Sequence, residues 1–129
     1  VLSNSDIHFD DSLSKINDYN FNKSFIALTR INDDNTYENL KSGCSQDTWI
    51  FKTPIKVIKD EDYEKDGIIL GIGGCDNKIA YVMKNSGYDV INPCRKIKTY
   101  HKHKNDIRNW YNDDRKRGYQ KPFLYVKCK

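Results

Sequence analysis

The stretch from Gly71 to Pro93, GIGGCDNKIAYVMKNSGYDVINP, restricts the fold more than any other part of the chain. Gly71, Gly73 and Gly74 leave the backbone free to turn sharply and to approach a ligand closely. Ile79, Val82 and Met83 then recur at helical spacing, and Gly87 stands where a helix is capped at its C-terminus. YDVINPC reads as a strand. Upstream, SFIALTR (Ser24 to Arg30) and DTWIFKTP (Asp47 to Pro54) have strand length and composition, with Pro54 as the stop. Strands separated by a helix imply an α/β layered fold.

The remaining segments are less sharply defined. Val1 to Ile7 reads as a strand that ends in a polar cluster. A helix is expected from about Asp11 to Tyr19, capped by Ser12 or Asp11, with Leu13 and Ile16 on its inner face. INDDNTYENLKSGCSQ is polar and long enough to be a surface loop. KPFLYVKC suits a small closing strand.

The 129 residues amount to one domain or part of one, and 37% hydrophobic content allows a modest core. A mean hydropathy of −0.84 and 31% charged residues describe a water-facing chain. No apolar run approaches the roughly 20 residues of a membrane span, and the expected location is the cytoplasm. The first residues, VLSNSDI, lack an initiator Met and suggest a cut within a larger fold. Cys44, Cys75, Cys94 and Cys128 form no CxxC pair, which disfavours a zinc ribbon. Without a secretion signal, reduced thiols are expected.

Charge is unevenly spread. Residues 95–129 hold 12 Lys and Arg against 3 Asp, or +9, whereas the rest holds 10 against 15 Asp and Glu, or −5, giving the total of +4. Such a tail attracts polyanions or the phosphates of a small ligand. With Trp110, Tyr111 and Tyr119 it offers an alternative function as a nucleic-acid-binding module, phosphates on the cations and bases stacked on the rings. That alternative explains the tail but not the motif order before it.

Several acids stand where chemistry is possible. Asp6 follows Asn4 at an expected strand end, the edge at which open α/β sheets bind ligands. A carboxylate there suits Mg²⁺ or Mn²⁺ completed by substrate phosphates, although capping of the next helix needs the same residues. Asp47, with Gln46, opens the TWIF strand and faces the same crevice or simply solvates a loop. Trp49 either packs inside or stacks on a sugar. Asp76 begins a helix, where the dipole is expected to lower its pKa and keep it ionised as a base, and where capping needs the same geometry. His101 and His103 alternate along a strand and share a face, fit for metal or phosphate. GIGG matches neither a P-loop nor GxGxxG, which excludes a dinucleotide fingerprint. A metal-dependent nuclease using Asp6, Asp47 and Asp76 would account for the acids alone.

Taken in order, NSD, ALTR, SQDTWIFKTP and GCDNKIAYVMKNSGYDVINP followed by TYH resemble the C-terminal half of a GT-A type glycosyltransferase. The resemblance is to the inverting family-two enzymes and their relatives in large DNA viruses and bacteria, and it covers residues 1 to about 108. It implies an α/β fold: the C-terminal portion of a GT-A, Rossmann-like mixed sheet flanked by helices, with the N-terminal nucleotide-binding half missing. Residues 1–108 would form this partial domain and residues 109–129 a basic C-terminal extension.

The resemblance also implies roles. Asn4 and Asp6 match the DXD-like motif that binds a divalent cation, Mn²⁺ or Mg²⁺, and the diphosphate; His101 matches the later His that closes on the same metal. Asp76 matches the general base, with Cys75 in place of an acidic partner and Gly74 in the substrate-binding loop. Asp47 and Trp49 fall near the sugars. The implied partners are a nucleotide-sugar donor, UDP- or GDP-linked, and a glycan or protein acceptor, with no membrane span and nucleic acid unlikely. For a viral member the location would be the host cytoplasm.

Overall fold

The computed structural model describes residues 1–37, 43, 45–58, 67–70, 72–102 and 123–129. Its centre is the run SFIALT, strand β3 (Ser24–Thr29), in which every residue after Ser24 is buried. A continuous apolar run of this length is what a strand covered on both faces requires. Phe25 and Ala27 join Trp49, Ile79, Val82 and Met83 on one side; Ile26 and Leu28 join Ile50 and Ile97 on the other.

Strand β4 (Gln46–Ile50) runs antiparallel to β3, and β5 (Asp89–Ile91) lies parallel on its other side. With β1 (Leu2–Ser3) outside β4, the mixed sheet has the order β1-β4-β3-β5. A second sheet has two strands, β2 (Ile7–Phe9) and β6 (Thr99–His101), antiparallel. The described chain is thus a mixed α/β structure, as expected at that level.

Helix α1 (Cys75–Asn85) covers the first face through Ile79, Val82 and Met83. Gly74 precedes it at φ 84°, a left-handed conformation open to glycine without penalty. At its other end Gly87, φ 89°, donates its N–H to Lys84 O and Tyr88 donates to Met83 O. These two bonds form the Schellman ending that the glycine predicts.

Three local expectations are corrected. The strand expected over Val1–Ile7 is broken by a turn at residues 5–6, so the chain pairs first with β4 and then with β6. The segment expected as a helix from Asp11 to Tyr19 is a 3₁₀ helix, Asp11–Asp18, and its cap is Asp10, whose carboxylate accepts from Ser12 N. Leu13 and Ile16 do face the second core. KPFLYVKC yields no strand among its described residues. Residues 123–129 instead form an irregular strap, fastened where Asn92 Nδ2 donates to Val126 O at 2.8 Å and Leu124 N to Asn77 O at 3.1 Å.

The strap is also fastened covalently. Cys94 and Cys128 form a disulfide with Cα atoms 5.6 Å apart, which corrects the expectation of reduced thiols for this pair. Disulfides persist where the surroundings are not reducing, so the bond argues against the cytoplasmic location expected from sequence. No helix among the described residues is long and apolar enough to cross a membrane.

Beneath the strap lies Gly43, φ 72°; a Cβ there would stand 2.9 Å from both the carbonyl carbon and the nitrogen of Val126. The neighbours are backbone and cannot swing aside. Gly43→Ala is expected to cost about 2 kcal/mol or more, from left-handed strain together with overpacking, read as a lower urea midpoint. An unchanged midpoint would mean that the strap does not rest on Gly43.

Candidate functional site

The NSD stretch joins two ladders, and this placement brings the site together. Asn4 continues the β1–β4 pairing, donating its N–H to Asp47 O at 3.1 Å. Asp6 continues the β2–β6 pairing, its carbonyl accepting from Lys102 N at 3.1 Å. Two residues apart in sequence, they face different partners.

Asn4 Nδ2 donates to Asp47 Oδ1 at 2.9 Å, and Arg30 donates to Asp47 Oδ2 at 2.7 Å. Both charged side chains are about one-eighth exposed, so the pair is largely withdrawn from water. Arg30 was not singled out in the sequence. It directly follows β3, where antiparallel pairing with β4 sets it beside Asp47, and nothing short of that pairing reveals it. An Arg30→Met variant leaves Asp47 buried with one amide partner and is expected to lose about 2 kcal/mol. Equal stability of wild type and variant in urea would remove this pair from the account.

Across the same turn, His101 Nε2 lies 2.9 Å from Asp6 Oδ2. The other oxygen, Asp6 Oδ1, is buried and has no hydrogen-bond partner among the described residues. The imidazole Nε2 is engaged by Asp6 Oδ2, so within this pair Asp6 Oδ1 is the atom without a hydrogen bond among the described residues. No group of three or more His, Cys, Asp or Glu suited to a metal occurs among the described residues. Asn4, expected with Asp6 in the DXD-like motif, spends its amide Nδ2 on Asp47.

Asp76 occupies the first turn of α1, but Gly74 is the cap and makes no side-chain cap bond. The capping expected of Asp76 is therefore replaced by a longer reach. Its carboxylate accepts from Gln46 N at 3.0 Å, and from the backbone amides of Ser45 and Asn77 as well. Ser45 holds φ 64°, unusual for a non-glycine residue, and this conformation presents successive amides to one acceptor. Burial pushes the Asp76 carboxyl above the ordinary value of 3.8, the amides pull it down, and the Asp47 charge pushes it up further. The lowered pKa expected from the helix dipole is reversed, because desolvation outweighs it.

Trp49, expected near the sugars, is a core residue. It is 3% exposed in the core between β4 and α1, which leaves no ring face open for a sugar. Its position alternates with Thr48 and Ile50 on a strand buried throughout, and periodicity alone could not choose its side. Gly74 borders the site as the left-handed residue that admits α1. His103, Trp110, Tyr111 and Tyr119 lie outside the described residues.

The seam thus gathers Asp6 with His101, and Asp47 with Asn4 and Arg30, while Asp76 feels the Asp47 charge. No family model matches the chain, and neither a curated protein nor a solved structure does so.

Proposed function

We propose that the chain is the metal- and acceptor-side part of an inverting glycosyltransferase of GT-A type, acting on a nucleotide-sugar donor and an acceptor hydroxyl. The observation that carries this reading is Asp76, a carboxyl raised by burial and by the Asp47 charge, on a chain where Asp6 has one oxygen against His101 and a second, buried oxygen without a hydrogen bond among the described residues. A base with a raised pKa accepts a proton more strongly when ionised, which suits removal of a hydroxyl proton during attack on an anomeric carbon.

Asp6 and His101 would hold a divalent cation, whose chemistry is to neutralise charge developing on the diphosphate leaving group. Arg30 and Asn4 keep Asp47 in place, and its charge keeps Asp76 basic. Gly74 leads into α1 in a left-handed conformation, φ 84°.

Nucleoside diphosphates tested with and without Mn²⁺ provide the experiment. Saturation at about 100 times Kd stabilises a native state by about 2.7 kcal/mol, so one diphosphate with Mn²⁺ is expected to raise the thermal midpoint by several degrees. The rise should vanish with a chelator and in an Asp6→Asn, His101→Ala variant. If no UDP, GDP or related diphosphate shifts the midpoint at millimolar concentration, the reading falls.

A further inference from the structure

Asn77 is 5% exposed, follows Asp76 directly, and is not called upon by the reaction proposed above. Its Nδ2 lies 3.3 Å from Gly43 O, 3.4 Å from Gln46 Oε1 and 3.2 Å from Leu124 O. Its own carbonyl accepts from Leu124 N at 3.1 Å. One buried amide with two hydrogens therefore serves three acceptors, from the strap, from the loop before β4 and from β4 itself.

The arrangement bears on Asp76 through Gln46. That side chain is 1% exposed, with Oε1 facing Asn77 and Nε2 donating to Gly43 O. The backbone N–H of the same residue donates to Asp76 Oδ2 at 3.0 Å. Fixing the Gln46 side chain fixes the orientation of its peptide plane. Ser45, next to it, holds a left-handed conformation that a non-glycine residue keeps only when its surroundings enforce it. Release of Gln46 would allow Ser45 to relax and both amides to leave the carboxylate.

We propose that Asn77 is a positioning residue, which fastens Gln46 to the strap and so holds the Ser45 and Gln46 amides against Asp76. The proposal rests on Asp76 as the base only for its consequence in catalysis; the positioning stands on contacts alone. The charge that bears on Asp76 from β4 is Asp47, itself held by Arg30 directly after β3.

A control is built into the same strap. Asn92 Nδ2 donates to Val126 O and to Thr29 Oγ1, both at 2.8 Å, so it too holds the strap, but no hydrogen bond joins it to Gln46 or Asp76 among the described residues, and it reaches Gln46 only through Thr29 and the β3–β4 ladder. Asn77→Ala and Asn92→Ala are compared in the whole chain by amide hydrogen exchange and by NMR titration of the Asp76 carboxyl carbon. In Asn77→Ala, exchange at Gln46 is expected to quicken by at least about tenfold relative to Ile26 and Leu28. The Asp76 midpoint should rise as the carboxylate loses its amides. In a transfer assay kcat falls while KM for the sugar donor holds, and the acidic limb of the pH profile moves upward.

Asn92→Ala should leave exchange at Gln46 and the Asp76 titration where they were. Should Asn77→Ala not fold, Asn77→Ser, which keeps a shorter donor, is expected to give an intermediate change in both. Wild-type exchange and titration in the folded Asn77 variant, or equal shifts in the Asn77 and Asn92 variants, would overturn the proposal. If exchange and titration move as expected but wild type transfers no sugar, the positioning stands and the transferase reading is what fails.

Discussion

Asp76→Asn is expected to lose roughly 10²–10⁴ of the transfer rate, the usual worth of a positioned general base, without losing stability. The reason lies in the opposed terms acting on this carboxyl. Burial and the Asp47 charge raise its pKa above 3.8 against the pull of three backbone amides. A carboxyl that titrates higher in the native chain binds its proton more tightly there than when unfolded. Its proton thus stabilises the fold fully below the unfolded pKa, and that contribution is lost as pH rises through the raised native value.

At pH 7 the ionised Asp76 accordingly costs stability, and Asn removes the charge while its oxygen still accepts from Gln46. The urea midpoint of Asp76→Asn at pH 7 should equal or exceed that of wild type. The difference should shrink as pH falls through the raised native value, where wild-type Asp76 takes up its proton. Asp76→Ala behaves differently, since it leaves the Gln46 and Ser45 amides without an acceptor, at roughly 1–3 kcal/mol for each buried donor. An Asp76→Asn variant with unchanged turnover would remove Asp76 from the chemistry. One with a clearly lower midpoint at pH 7 would mean that the ionised carboxylate is stabilised overall.

The second large effect concerns the strap. Replacing Cys94 and Cys128 by Ser opens a loop with a sequence separation of 34, which chain-entropy reasoning values at about 4 kcal/mol. For a chain of this size that corresponds to roughly 10–15 °C in thermal midpoint. Reduction of the wild type should reproduce the shift, and reduction of the double variant should do nothing more. The loss should be felt unevenly: Asn92 and Asn77 meet the strap at Val126 and Leu124, so exchange should quicken there before it does in β3. A reduced protein as stable as the oxidised one would show that the hydrogen bonds alone suffice to hold the strap.

The elements that could be read in advance are those whose own residues demand them. SFIALT is apolar on both faces, so it can only be a covered strand. Helix α1 carries its stripe in Ile79, Val82 and Met83 and its ending in Gly87, and the structure follows each of these. Elsewhere local pattern was outvoted. NSD reads as a strand end, yet pairing on both sides turns it into a junction, and the helix expected after it tightens to 3₁₀ under an Asp10 cap.

The acids of the candidate site were visible as residue types, because a carboxylate beside glycines or at a strand end can be read from its neighbours. Their partners were not visible. Arg30 with Asp47, His101 with Asp6 and Gln46 with Asp76 are separated by 17, 95 and 30 residues, and only the packing of the sheets and α1 brings them together. The direction of the Asp76 pKa was misjudged for the same reason: the helix dipole belongs to local sequence, whereas desolvation belongs to the assembled fold. Sequence by itself determined that a buried strand and a glycine-bounded helix would form, since apolar periodicity and backbone freedom are properties of neighbours. Tertiary structure alone decided that Cys94 would find Cys128, that Trp49 would face the core, and that Asn77 would tie strap to sheet, because each depends on distances between segments that no local pattern encodes.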